Sequence, residues 1–132
     1  MAFLLDTNIC SFHFKSRGGS PLFSRFVQHG GQLFVSRLTC AELYAYAYRG
    51  TQKRVALVGN LLKDFRVVEF DEACAREFGR LHASLAERGI AIGQVDLMLA
   101  ATARVNGFTL VTHDGGIANI KSVIADFALE SW

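Results

Sequence analysis

Short apolar runs of three or four residues alternate along this chain with longer stretches in which apolar positions follow a helical spacing. The short runs read as buried strands and the longer stretches as helices, and their alternation predicts an α/β fold with a mainly parallel sheet. Phe3–Leu5 is the first strand. The segment from Asn8 to about Lys15 is helical and ends in the loop Ser16-Arg17-Gly18-Gly19-Ser20. Pro21 suits the first position of a helix that runs to about His29, where Gly30-Gly31 stops it. Leu33–Ser36 is the second strand, and a helix from about Cys40 to Arg49 follows, closed by Gly50. Gln52 to about Asp64 is a further helical stretch, interrupted by Gly59. Val67–Phe70 is the third strand, and Asp71 is a good N-cap for a long helix ending at Gly89. Val95–Val105 forms a compact apolar helix stopped by Gly107. Leu110–Thr112 is the fourth strand and Ala128–Glu130 the fifth. Internal repeats and low-complexity tracts are absent from the sequence.

Length and composition narrow the class. The 132 residues suit one domain, residues 1–132. With 51% hydrophobic residues and a single proline, the chain can build a core without staples and is not of disordered type. Three cysteines, Cys10, Cys40 and Cys74, are odd in number and widely spaced. They form neither a disulfide framework nor a zinc pattern, and they suit a reducing cytoplasm. The opening Met-Ala-Phe-Leu-Leu-Asp lacks a basic region, and Asp6 breaks its apolar run, so no signal sequence is read there. No stretch approaches the roughly 18 apolar residues that a membrane span requires.

Four acids fall at the ends of elements. Asp6 directly follows the first strand and Asp114 closely follows the fourth. Ligands of open α/β sheets bind outside the carboxyl ends of strands, where connections diverge, so these positions converge although distant in sequence. Asp96 lies in the first turn of the helix Val95–Val105, and Glu42 in the first turn of the helix after the second strand. Carboxylates crowded together raise each other's pKa unless a cation neutralises them. Hard oxygen ligands select magnesium or manganese, and no matched histidine or cysteine set competes. Magnesium held by one or two carboxylates keeps several waters, one of which can attack a phosphate while the ion steadies the developing charge. If the four acids share one pocket, the remainder of the molecule carries 14 basic and 12 − 4 = 8 acidic residues, or +6. An acidic pocket on a basic body suits a polyanion. Each acid also has a purely structural reading: Asp6 as a helix cap, Glu42 as part of a Thr39-Cys40-Ala41-Glu42 capping box, Asp96 as a complement to a helix dipole, and Asp114 as a turn residue.

The strings Leu4-Leu5-Asp6-Thr7-Asn8, Ala41-Glu42-Leu43, Asp96-Leu97-Met98-Leu99-Ala100-Ala101 and Leu110-Val111-Thr112-His113-Asp114 resemble those of PIN domains in order and spacing. The resemblance is closest to the VapC toxins and covers essentially the whole chain, down to Leu129-Glu130-Ser131-Trp132. It implies a PIN-like three-layer domain, with a central sheet of about five strands flanked by helices. It also implies the toxin of a type II toxin–antitoxin system, a metal-dependent endoribonuclease that leaves a 5′-phosphate and a 3′-hydroxyl. In that family pattern Asp6 and Asp96 are the main metal ligands, with Glu42 and Asp114 completing the cluster. Thr7 and Thr112 support them by holding carboxylates in place. Mg2+, or Mn2+, is the implied cofactor. RNA, with transfer RNA as a candidate, is the substrate, and a VapB-type antitoxin and a second copy of the chain are the partners. The residues after Thr112 depart from the family's common Asn-rich form.

Other features are weaker. Lys15–Ser20 lacks the spacing of a phosphate-binding loop, and His113 reads as a solvated loop histidine. Tyr44 and Tyr48 share a helical face, with Tyr46 pointing elsewhere; they suit base stacking, antitoxin docking or plain packing. Arg49, Lys53 and Arg54 read as a solvated helix start or a phosphate contact. A non-catalytic RNA-binding PIN scaffold is the alternative function, although none of the four acids is missing. A phosphoacceptor domain would want a pair of acids after the first strand, and a dehalogenase-like phosphatase Asp-x-Asp. The sequence reads Asp6-Thr7-Asn8.

Overall fold

The computed structural model describes residues 1–16, 21–113 and 117–132. In chain order the elements are β1 (Phe3–Leu5), α1 (Thr7–Lys15), α2 (Leu22–Gln28), β2 (Leu33–Ser36), α3 (Arg37–Tyr48) and α4 (Gln52–Leu62). They continue with β3 (Arg66–Val68), α5 (Glu72–Glu87), α6 (Gln94–Asn106), β4 (Thr109–Val111), a 3₁₀ helix (Ile117–Ser122) and β5 (Leu129–Glu130). The strands form one sheet in the order β3-β2-β1-β4-β5, and all four pairings are parallel.

Alternation along the strands divides the core in two. Phe3, Leu5, Leu33, Val35 and Val111 point to one face and pack against α1 to α4 through Ile9, Cys10, Leu22, Leu43 and Val58. Leu4, Leu110 and the half-buried Phe34 point to the other, against Leu81, Leu85, Leu97 and Leu99 of α5 and α6 and Ile117 and Ile120 of the 3₁₀ helix. The sheet is thus the middle of three layers, covered on both faces as parallel sheets are. Phe34 stacks on Phe108 at 4.5 Å within the second cluster.

The chain enters its helices abruptly. Asp6, Ser36, Thr51 and Asp71 each cap the next helix with a side-chain oxygen. Gly107, at φ 69, closes α6 in the left-handed region, and the Phe108 amide reaches back to the Ala103 carbonyl at 2.8 Å. The long-helix cap at Asp71 and the stops at Gly89 and Gly107 stand as the sequence predicts. The start of the third helix does not. Ser36 ends β2 and also caps α3, accepting the Leu38 amide at 3.0 Å, so α3 begins at Arg37 rather than near Cys40. The capping box predicted at Thr39–Glu42 is therefore not formed, and Glu42 stands in the second turn, not the first. Among the described residues, no helix is long and apolar enough to cross a membrane. All three cysteines are free and buried.

Leu4 is fully buried in the central strand. Leu4→Ala should lower stability by about 2–5 kcal/mol, read as a lower urea midpoint at unchanged m-value.

Candidate active site

The chain runs from β1 to β2 and β3 on one side, then returns to β4 on the other side of β1. The connections leaving β1 and β4 therefore diverge above their carboxyl ends, the position where open α/β sheets take ligands. Asp6 stands there. It is 1% exposed, its backbone amide donates to the Val111 carbonyl at 3.0 Å, and its Oδ1 accepts the Ile9 amide at 2.9 Å. Its Oδ2 accepts a hydrogen bond from the Thr112 hydroxyl at the end of β4. The cap on α1 is real, and it uses one oxygen of a carboxylate whose other oxygen joins two strands. These described donors are neutral, so they solvate the charge without cancelling it. One consequence reaches Cys10, whose thiol is pushed well above the usual range, first by burial and then by the Asp6 charge.

Glu42 approaches from the neighbouring strand's helix. The Thr7 hydroxyl donates to Glu42 Oε1 at 2.5 Å and lies 3.1 Å from the Thr39 hydroxyl. Thr7 follows Asp6 in sequence, so this bond ties the first turn of α1 to α3. Glu42 is exposed, whereas Thr39 is fully buried.

Asp96 lies in the first turn of α6. The far end of α6 feeds β4 through Gly107, and its Leu97 and Leu99 pack with Leu4 of β1 and Leu110 of β4. Gly93 caps the helix without a side chain. A Cβ at Gly93 would come within 3.1 Å of Asp96 Oδ2, so the absence of a side chain there leaves room for the carboxylate. Asp6 and Glu42 thus meet through Thr7 at the carboxyl ends of β1 and β2, and Asp96 stands in the first turn of the helix that leads into β4. Asp114 lies outside the described residues, as does most of the loop Lys15–Ser20. Sequence reasoning missed Thr39 and the steric role of Gly93. Thr39 carries no local signal, because it meets Thr7 of another helix, and Gly93 acts through the side chain it lacks.

Among the described residues, no group of three or more histidine, cysteine, aspartate or glutamate side chains is gathered closely enough to hold a metal. The donors at this edge are carboxylate and hydroxyl oxygens. Such a set fits magnesium, which keeps most of its waters and takes only one or two carboxylates from the protein, and it does not fit zinc.

Of the basic residues near Tyr46, Arg54 is partly buried, while Lys15, Arg49 and Lys53 are exposed. Arg54 donates to the Tyr46 carbonyl at 2.9 Å and its guanidinium lies 4.1 Å from the Tyr46 ring centroid. Lys15 covers the same ring at 5.6 Å. These residues line a cavity of about 850 Å3 between α4 and the end of α1, at the opposite end of α1 from Asp6. Tyr44 and Tyr48 do share a face, their rings 6.3 Å apart. Near the acids, Arg37 opens α3 and pairs with Glu69 at 2.8 Å; that bond holds the Glu69 carboxyl below its usual range. Both side chains are solvated, so the pair adds little to stability.

The family model described as PIN domain matches residues 3–123. Ribonuclease VapC2 of Haemophilus influenzae is 32% identical, over all of this chain and 98% of that protein. A tRNA(fMet)-specific endonuclease VapC of Shigella flexneri is 32% identical over 86% of this chain and 87% of its own length. Among solved structures, DNA-bound VapBC from Salmonella typhimurium superposes with a TM-score of 0.89 at 27% identity, covering 100% of this chain and 98% of that one.

Asp6→Asn keeps a capping oxygen and should fold with near-normal stability, whereas Asp6→Ala loses the cap and about 1 kcal/mol or more. Thr112→Val, which keeps the shape but removes a donor from a buried carboxylate, should cost about 1–3 kcal/mol. Chemical denaturation of the three variants measures both differences.

Proposed function

The chain belongs to the PIN-domain family, in its VapC branch, and from that membership and the acid-bearing sheet edge we propose a metal-dependent endoribonuclease, the toxin of a toxin–antitoxin pair. The observation that carries the reading is Asp6, a buried carboxylate bonded to Thr112 at the point where β1 and β4 diverge. Asp6 and Asp96 would hold Mg2+, or Mn2+, through carboxylate oxygens. The ion would supply Lewis acidity toward a phosphodiester and a water of lowered pKa.

The chain's own residues do the rest. Thr112 and the Ile9 amide fix both oxygens of Asp6, so its orientation is set before substrate arrives. Thr7 holds Glu42 by Oε1 and leaves Oε2 to take a proton from the attacking water. Asp114 would complete the set. The products would be a 5′-phosphate and a 3′-hydroxyl. Transfer RNA is the proposed substrate, on the strength of relatives named for cleaving tRNA(fMet). The proposed partners are an antitoxin, as in the VapBC assemblies of the Salmonella and Haemophilus relatives, and a second copy of the chain.

Purified protein incubated with total transfer RNA in Mg2+ or Mn2+ should cut at discrete positions. EDTA should abolish cutting, and Asp96→Asn should slow it at least ~100-fold, since even the residues supporting metal ligands commonly matter 10–100-fold. Cutting that persists in EDTA or in the variant would overturn the site. A wild type that binds transfer RNA without cutting it would favour a binding scaffold.

A further inference from the structure

The C-terminal residues are tied to the same strand end that carries Thr112. The strand β5 has only two residues, too few to be stable by itself. It meets β4 through the Leu110 amide on the Ala128 carbonyl and the Thr112 amide on the Glu130 carbonyl, both at 3.0 Å. Two residues on, the Trp132 carbonyl accepts a hydrogen bond from His113 Nε2. The Trp132 ring is wedged into the first core: it stacks on His29 at 5.2 Å and 17°, and lies 5.1 Å from Phe3 and 6.3 Å from Phe26. Arg25 covers it at 5.8 Å, and its indole N–H donates to Glu130 at 3.1 Å. On the other side, the His113 ring meets Phe12 of α1 edge-on at 5.8 Å. The segment Thr112–His113 is therefore held between the tail and α1, the helix that Asp6 caps.

We propose that Trp132 and His113 form a brace that positions Thr112, and through it the carboxylate of Asp6, for phosphodiester cleavage. The inference rests on the ribonuclease reading. Both are positioning residues. The indole supplies the anchor, because its packing is far larger than a two-residue strand can provide. The His113 bond carries that anchorage to the residue next to Thr112. Without the brace, the β4 end is free to move by the ångström or so that a metal-holding carboxylate does not tolerate.

The test is a double-mutant cycle on Trp132→Ala and His113→Leu, with Trp132→Phe and His113→Gln as conservative partners. Each disruptive variant should lower kcat by ~10–100-fold with KM changed less than ~3-fold. The double variant should lose no more than the worse single one, because the two act as a unit. Phenylalanine at 132 and glutamine at 113, which restore an aromatic anchor and a side-chain donor, should recover most of the rate. Amide hydrogen exchange, which needs no turnover, should speed up at Thr112 in both disruptive variants. Unchanged exchange at Thr112 would overturn the brace even if the wild type proves inactive. So would additive losses, a rise in KM alone, or a lower Tm with unaltered kcat per folded molecule. A silent wild type with faster exchange in the variants would instead overturn the ribonuclease reading and leave the brace standing.

Discussion

The parallel pairing of β1 with β4 is the constraint on which the candidate site depends. Their register sets Leu5 opposite Val111, which makes Asp6 and Thr112 the next residues up. Adjacent strands lie only about 4.8 Å apart. A carboxylate and a hydroxyl 106 positions apart therefore come within a single hydrogen bond. A slip of one residue would turn Asp6 to the opposite face of the sheet and break that bond. Two unlike cores oppose the slip: Leu4 and Leu110 fit among α5 and α6, Leu5 and Val111 among α1 to α4. The apolar packing that stabilises the sheet is thereby also what aims the acid.

Much of the scaffold was legible because its signals are local. Apolar triplets bounded by polar residues mark the strands to within a residue or two. Asp71 and Gly107 announce a helix start and a helix stop through chemistry that needs no partner beyond the adjacent turn. The start of α3 was not legible, since Ser36 serves as the last residue of a strand and the cap of a helix with no linker between. The string Thr39-Cys40-Ala41-Glu42 then imitates a capping box. Its threonine instead lies inside the helix, and its hydroxyl meets Thr7 of another one. No local pattern encodes that choice. The 3₁₀ helix at Ile117–Ser122 escaped because its single pair of buried isoleucines, three residues apart, matches the 3₁₀ period but is too short to mark an element by itself.

Of the candidate site's supports, Thr7 and Thr112 are named by the family resemblance and bond to Glu42 and Asp6, while Thr39 and Gly93 are not named. Asp6 and Asp96 stand at element ends that a sequence can mark. Thr39 lies inside α3, and its buried hydroxyl matters only through Thr7; Gly93 stands at the start of α6, but its missing side chain matters only through Asp96. For Asp6 the structural reading holds, since it caps α1 with one oxygen, and the cap leaves its other oxygen for a second partner. A carboxylate that caps a helix with one oxygen has its second oxygen turned toward whatever lies beside the strand end, which here is Thr112.

The three described acids differ in burial and in their distance along the chain from a helix start. The helices α1 and α3 both begin where the parallel strands β1 and β2 end, so each turns the positive end of its dipole toward that end of the sheet, and α6 turns its own toward Asp96. That effect fades within the first turn. Asp6, at the cap itself and with a hydroxyl besides, is the most buried. Asp96, inside the first turn of α6, is half-buried. Glu42, a full turn further along α3, receives little from the dipole and stays in solvent, held by Thr7 alone among the bonds described. An acid buried without such an offset would shed its charge rather than keep it. In the proposed function, the two acids nearest helix starts, Asp6 and Asp96, are the ones that hold the cation. The exposed one, Glu42, held at Oε1 by Thr7, is in the same proposal the acid that faces the attacking water.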